Sequence, residues 1–151
     1  MPKLLLNCFL LLVPLLVWNI IFSSSLTQKG FHNDAVVPSW LLWSEHALRA
    51  VVFFVPLLFV LEVKDNWARV GLWVFGVGAV IYCASWLPLV YAPDSYWSRS
   101  WIGALSPAFT PILWLLGIAL VGRSWLYAIG SVLFVAVHVL HNLISFEFIK
   151  W

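Results

Sequence analysis

The chain has 151 residues, of which 64% are hydrophobic and only 9% charged, and its formal net charge is +2. Soluble domains carry about 25% charged residues, so this composition excludes a water-exposed globular surface and indicates a protein that faces lipid. The small charge is spread along the chain, which argues against nucleic acid as a partner. Cys8 and Cys83 form no CxxC pair and lie in apolar runs, so we expect both to be buried apolar residues.

The first apolar run covers residues 4–22 and follows a single lysine, Lys3. It is longer than the apolar region of a secretory signal peptide, about 7–15 residues, and no A-x-A cleavage site follows it. We therefore expect a membrane helix that is retained in the protein.

Four further apolar runs follow, and each is close to the ~20 residues that span a bilayer. They cover residues 40–61, 70–91, 102–121 and 125–147. No long hydrophilic stretch separates them. The sequence thus predicts an all-α integral membrane protein in which residues 1–151 form one domain, a single bundle of five transmembrane helices.

Five spans would place the two termini on opposite sides of the membrane. With the N-terminus inside, the inner side carries slightly more cationic residues than the outer side, as the positive-inside rule requires. The inner set is Lys3, Lys64, Arg69 and Arg123, and the outer set is Lys29, Arg99 and Lys150. We expect a bacterial inner-membrane protein with a cytoplasmic N-terminus and an external C-terminus.

Prolines interrupt each of the first four predicted helices, at positions 14, 56, 88, 107 and 111. A proline removes a hydrogen bond one turn back and bends the helix, so these residues indicate either ordinary kinks or a cavity lined by freed carbonyl groups. The segment SPAFTP (106–111) is the strongest candidate for such a cavity. The glycines at 71, 76 and 78 predict a close approach of two helices.

Polar side chains gather at one depth of the predicted bundle. With a rise of 1.5 Å per residue, His46 and His141 both lie ~9 Å below the outer boundary, and Arg49 and His138 both lie ~14 Å below it. The inner half of the bundle contains almost no polar residue. We predict a polar pocket in the outer half, lined by Asn19, Glu45, His46, Arg49, Tyr82, Ser85, Ser106, Thr110, His138, His141 and Asn142.

Helical spacing groups the polar residues of the second and fifth helices. Residues 138, 141 and 142 share one face, and Glu45 and Arg49 share another. Charged side chains that face lipid cost about 2.5–3.5 kcal/mol each at mid-membrane, so both faces should turn inward or toward headgroups. We expect the two helices to be adjacent, with His46 or Arg49 against His138, His141 or Asn142, under outer loops that carry His32, Asp34, Asp94 and Arg99.

Each of these groups also has a purely structural interpretation. Glu45 and Arg49 can be an ion pair near the interface, with Arg49 extending toward the headgroups. The two histidines of the last helix can serve only to hydrogen-bond neighbouring helices.

Residues 82–120 (YCASWLPLVYAPDSYWSRSWIGALSPAFTPILWLLGIAL), together with LLVWNIIF (15–22) and SEHALR (44–49), resemble a group of small bacterial multi-pass membrane proteins of uncharacterised activity. The resemblance implies a multi-pass membrane protein and no activity. The chain is also similar in size and tryptophan content to the tryptophan-rich sensory (translocator) family. The tryptophan–proline signature of that family is not matched, because PSW (38–40) is the nearest sequence here.

Several functions fit these residues. The first is binding or transport of a small molecule or lipid-like ligand in the outer pocket, with no catalysis required. The second is a redox subunit that holds haem or a metal ion through His46 with His138 or His141. A membrane enzyme with Glu45 or a histidine as acid or base would be a third, but paired carboxylates, a nucleophile motif and a phosphate loop are all missing. An accessory subunit that uses the patch against partner subunits or a second copy is the fourth.

Overall fold

The computed structural model describes residues 6–28 and 37–148, and these two ranges are helical with one isolated bridge, between Asn7 and Val60. The helices are α1 (Phe9–Gln28), α2 (Ser39–Phe54), α3 (Asn66–Tyr91), α4 (Tyr96–Arg99), α5 (Trp101–Phe109), α6 (Pro111–Val121) and α7 (Trp125–Ser145). A single 3-10 turn, Val55–Leu58, extends α2.

The described residues are all-helical, as predicted, and four helical segments are long and apolar enough to cross a membrane. They are Ser39–Leu58, Asn66–Tyr91, Trp101–Val121 and Trp125–Ser145. The apolar part of α1, Phe9–Ser25, is shorter. The helix predicted for residues 4–22 therefore starts later than expected, and it continues to Gln28.

The late start of α1 has a visible cause. The backbone N–H of Cys8 donates to the carbonyl of Phe59 at 2.9 Å, and that of Leu61 donates to the carbonyl of Leu6 at 2.9 Å. These bonds pair residues 6–8 with residues 59–61 around the bridge between Asn7 and Val60. Asn7 then begins the helix, because its Oδ1 accepts from the N–H of Phe9 at 3.1 Å.

Prolines mark the positions where α2 passes into a 3-10 turn and where the predicted helix 102–121 is divided. Pro56 lies at the start of the 3-10 turn, where its missing N–H and fixed φ end the α-helical pattern of α2. The predicted helix 102–121 is divided at Thr110 into α5 and α6, with Pro111 as the first residue of α6. Pro at the first helical position is favourable because that N–H has no intrahelical partner.

The most extensive contact of the bundle joins α3 to α6. A Cβ atom on Gly117 would lie 2.5 Å from the backbone nitrogen of Phe75, and one on Gly78 would lie 2.6 Å from that of Trp114. The predicted close approach at Gly71 and Gly78 is confirmed. The same prediction is wrong for Gly76, where an added Cβ atom would meet no neighbouring atom within 4 Å.

The two ends of the bundle differ. At one end, residues 6–8 pair with residues 59–61, and Arg123 forms an ion pair with Asp65, which also caps α3 by accepting from the N–H of Ala68 at 2.8 Å. At the other end, α1, α3 and α7 finish and α2 and α5 begin. The polar residues of the chain's apolar helices lie toward this second end.

Candidate ligand-binding site

Glu45 lies at the centre of the contact between α2 and α7 and is completely buried. Its Oε1 lies 2.9 Å from Nδ1 of His138, and its Oε2 is bonded to Nδ1 of His141. On the same helix, the guanidinium of Arg49 pairs with Oε1 one turn away. One carboxylate therefore joins two histidines and an arginine. The predicted adjacency of these helices is present, but its hub is Glu45 rather than His46 or Arg49.

The carboxylate determines the proton positions on both imidazoles. An ionised carboxylate can only accept hydrogen bonds, so we assign the proton of each ring to Nδ1. In a neutral imidazole the other nitrogen, Nε2, is then an acceptor. The His138 ring also stacks on Phe134, with the ring centroids 5.4 Å apart and the planes 11° apart. Two contacts thus hold the orientation of His138.

An apolar cluster closes the network toward the ends of the helices. Leu41 lies one turn before Glu45, Ile144 follows His141 on α7, and both are buried together with Val37. Asn142 donates from Nδ2 to the carbonyl of His138 at 2.7 Å. Water is therefore excluded from one side of the carboxylate.

A second polar contact fastens α1 to α3. The hydroxyl of Tyr82 donates to Oδ1 of Asn19, and the Tyr82 ring packs edge-on against Trp86 and Trp114, with centroids 6.0 Å apart in each case. Asn19 and Tyr82 belong to the predicted pocket, and the structure brings them into direct contact.

The predicted hydroxyl residues form a separate chain where α3, α5 and α6 meet. Thr110 donates to the carbonyl of Ser106 at 2.7 Å, Ser106 donates to that of Gly103 at 2.7 Å, and Oγ of Ser85 lies 3.5 Å from Oγ1 of Thr110. These hydroxyls satisfy backbone carbonyls and each other around the proline break. They lie behind the wall of the cavity described next.

A cavity of about 510 Å³ lies between α1, α2, α3, α5, α6 and α7. This volume is in the range of ~300–1,000 Å³ that small-molecule sites occupy. Its polar lining comes from Asn19, Ser23, Arg49, Tyr82, His138 and Asn142. Its apolar lining comes from Leu16, Ile20, Phe53, Trp86, Ala104, Pro107, Ala108, Pro111, Trp114, Phe134 and Phe146.

The structure thus separates the predicted pocket residues into groups. Asn19, Arg49, Tyr82, His138 and Asn142 line the cavity. Glu45 and His141 are buried behind it, with Ser85, Ser106 and Thr110 at the helix junction. His32 and Asp34 lie outside the described residues, and Asp94 and Arg99 form an exposed ion pair.

His46 is the exception among the predicted residues. It is exposed and lies beside Trp43, with the ring centroids 6.3 Å apart, and it does not line the cavity. The physical reason is helical geometry, because His46 is rotated by about 100° from Glu45 on the same helix. Burial of the carboxylate therefore turns the His46 imidazole outward.

The axial pair proposed from sequence for haem or a metal ion, His46 with His138 or His141, is not brought together in the structure. His138 and His141 both direct Nδ1 to Glu45, and His46 faces away from them. Within residues 6–28 and 37–148, no three His, Cys, Asp or Glu side chains are grouped so as to hold a metal ion.

Sequence reasoning missed the apolar walls of the cavity. Trp86 and Trp114 are buried in the described structure and look like ordinary packing residues in a chain with eleven tryptophans. Pro107 and Pro111 did carry a signal, since the proline pair indicated a cavity near SPAFTP. The structure places both prolines in the cavity wall.

Replacing Arg49 with alanine is expected to lower stability by about 1–3 kcal/mol, because it removes a charged partner from a buried carboxylate while Arg49 itself is part-exposed. Arg99 pairs with Asp94 at 2.5 Å in an exposed position. The matched Arg99→Ala variant should therefore lose less than about 0.5 kcal/mol. Thermal unfolding in detergent compares the two, and equal small losses would contradict a structural role for Arg49.

Comparison with known protein families, with curated proteins and with solved structures finds no match to this chain. The resemblance to a group of small multi-pass proteins therefore stays a prediction.

Proposed function

We propose that this protein binds a small molecule or a lipid-like ligand inside the membrane, in the cavity between α1, α2, α3, α5, α6 and α7. The observation that carries the proposal is the division of the cavity lining. Aromatic, proline and aliphatic side chains form most of the wall. The few polar groups come from α2 and α7 (Arg49, His138, Asn142) and from α1 and α3 (Asn19, Ser23, Tyr82). Such a lining is typical of sites that hold an apolar body and orient it by a polar group.

The packing of α1 supports access to the cavity from the bilayer. Its buried residues are Leu12 and Leu15, near its start, and positions 16–25 contain no fully buried residue. Ile20 lines the cavity and is nevertheless 76% exposed on the protein surface. In the described residues, Ile20 thus reaches from the cavity to the surface of the bundle, which for an apolar bundle adjoins lipid chains.

Filling the cavity tests the proposal. Ala108 is buried on α5 and lines the cavity, so Ala108→Phe should displace a ligand that co-purifies with the wild-type protein. Ala47 is exposed on α2, and Ala47→Phe is the matched control. Native mass spectrometry of protein released from nanodiscs would detect the bound mass. We expect it in wild type and Ala47→Phe and not in Ala108→Phe.

Equal adduct masses in all three proteins would contradict binding in this cavity. If no bound ligand is detected on the wild-type protein, even after lipid extracts are added back, the proposal is contradicted as well. Ala108→Phe introduces a larger side chain at a buried site, at a cost of about 1–3 kcal/mol, so its folded state is checked first by thermal unfolding.

We also propose that α1 completes a bundle of five spans, in a bacterial inner membrane with the N-terminus cytoplasmic and the C-terminus outside. The cavity would then lie in the outer half of the membrane. A tag at each terminus should be accessible to a membrane-impermeant reagent from opposite sides, the C-terminal one in intact spheroplasts. Labelling of both tags from one side would contradict five spans.

A further inference from the structure

We infer that the cavity takes an uncharged amphiphile whose polar end is a hydroxyl group, and that Nε2 of His138 accepts the hydrogen bond from this hydroxyl. The inference rests on the proposed binding function and names the chemical class of the ligand.

The charges at the polar side of the cavity already cancel. Arg49 is the only residue with a formal charge among those that line the cavity in the described structure, and it is paired with Glu45. His138 and His141 both donate from Nδ1 to this carboxylate, whose single charge Arg49 already balances. We take both rings as neutral because a second cation would leave an uncompensated charge inside the bundle. Tyr82, on α3, donates to Asn19. An ionised head would enter this apolar space without a counter-charge, and an unpaired charge is costly to bury.

One hydrogen-bonding group left open at the polar side of the cavity is the acceptor nitrogen of the His138 ring; the indole N–H groups of Trp86 and Trp114, elsewhere in the lining, are donors without a partner in the described residues. His138 lines the cavity, and its side chain is 23% exposed. Because Nδ1 is bonded to Glu45, Nε2 is the ring nitrogen left for a cavity occupant, and Phe134 stacking prevents the ring from turning. An acceptor that is already oriented loses little conformational entropy on binding. The complementary group on a ligand is a hydrogen-bond donor.

Arg49 makes a hydroxyl a better match than a pure donor such as an ammonium. A guanidinium carries five N–H donors, and the described contact of Arg49 is with Oε1 of Glu45. The remaining N–H groups can donate to an oxygen at the same end of the cavity. A hydroxyl both donates and accepts, so it can bond His138 and Arg49 together.

The walls determine the rest of the ligand. Phe53, Trp86, Trp114 and Pro111 present apolar and aromatic surface to the cavity. The volume of about 510 Å³ suits one apolar body of small-molecule size. A long-chain alcohol, or a phenol with an apolar substituent, has this combination of a hydroxyl end and an uncharged body.

Photoaffinity labelling in nanodiscs tests the inference. The probes are hexadecanol, hexadecanoate and hexadecyltrimethylammonium, each with the same diazirine at mid-chain, and the readout is the labelling yield of peptides that line the cavity. One hydrogen bond is worth about 1 kcal/mol, so the alcohol should label these peptides roughly fivefold more strongly than either charged probe. Labelling of lipid-facing peptides, such as that with Val80, normalises for partition into the bilayer.

The variant that isolates the acceptor is His138→Asn. An asparagine amide can replace the Nδ1–H donor to Glu45 but places no acceptor at the Nε2 position. We expect the alcohol labelling to fall roughly fivefold in this variant and to be unchanged in His46→Asn, which alters an exposed histidine. A thermal unfolding curve close to that of the wild type shows that the variant is folded. If His138→Asn does not fold, competition by hexadecane-chain ethers, which lack the donor, supplies the same comparison in the wild-type protein.

The outcomes separate the two proposals. Stronger cavity labelling by the carboxylate or the ammonium, unchanged labelling in His138→Asn, or equal competition by ether and alcohol would overturn the hydroxyl inference and leave cavity binding intact. Cavity peptides that none of the three probes labels above the lipid-facing level would contradict the proposed function itself.

Discussion

Glu45→Ala is expected to cost about 3–5 kcal/mol of stability, the largest loss for any single polar side chain in the described residues. Glu45 is fully buried and accepts from His138, His141 and Arg49. Its removal takes this acceptor from two imidazole N–H groups inside the bundle and from the part-exposed guanidinium of Arg49. A polar group that loses its buried partner still lacks contact with water, so the cost of its desolvation is no longer offset and the expected loss of stability is large.

The control for Glu45 is Glu62, which is exposed and pairs with Lys64. Glu62→Ala should lose less than about 1 kcal/mol, because exposed ion pairs contribute little. Glu45→Gln retains one acceptor oxygen and should fall between the two. Equilibrium unfolding in mixed micelles measures all three variants. A loss below about 1 kcal/mol for Glu45→Ala would show that the carboxylate does not hold α2 to α7.

Gly117→Ala is expected to cost about 3 kcal/mol, although it adds only one methyl group. The new Cβ would lie 2.5 Å from the nitrogen and 2.7 Å from the Cα of Phe75, and both are backbone atoms that cannot rotate away. The helices α3 and α6 would have to separate along their whole contact. Because Trp114 lies on α6 and Tyr82 on α3, the same displacement should also weaken ligand binding.

Gly76→Ala gives this prediction a control of the same chemistry. A Cβ at Gly76 meets no atom within 4 Å, so the substitution should stabilise α3 by up to about 1 kcal/mol through helix propensity. Opposite signs for the two variants in thermal unfolding would identify steric contact as the cause. Similar effects at both positions would mean that α3 and α6 are not in close contact.

The two largest predicted stability losses concern two different helix–helix contacts around the cavity. The glycine contact holds together α3 and α6, which carry Tyr82 and Trp114 of the cavity lining, and the Glu45 network holds α2 to α7, which carries His138. The front, formed by the second half of α1, depends on the bond between Asn19 and Tyr82. A ligand that enters from the membrane would meet this least buried wall first.

The sequence by itself determined the class of the protein and the level of its polar site. Apolar runs of about 20 residues predict spanning helices, since backbone polar groups in lipid must bond within the helix. Helical rise placed Arg49 and His138 at one depth, and helical spacing put residues 138, 141 and 142 on one face. The adjacency of α2 and α7 followed from the cost of exposing such groups to lipid.

Only the tertiary structure decided which polar residues meet. Periodicity gives the angle between two residues of a helix but not the rotation of that helix against its neighbours. Glu45 and His46 are adjacent in sequence and about 100° apart around α2, so one of them had to turn away. A charged carboxylate costs more to expose to lipid than a neutral imidazole does, and the bundle therefore buries Glu45 and leaves His46 outside. The apolar walls of the cavity could not be predicted either, because they also depend on helix rotation. In a chain this hydrophobic, a tryptophan that lines a cavity has the same sequence pattern as one that faces lipid.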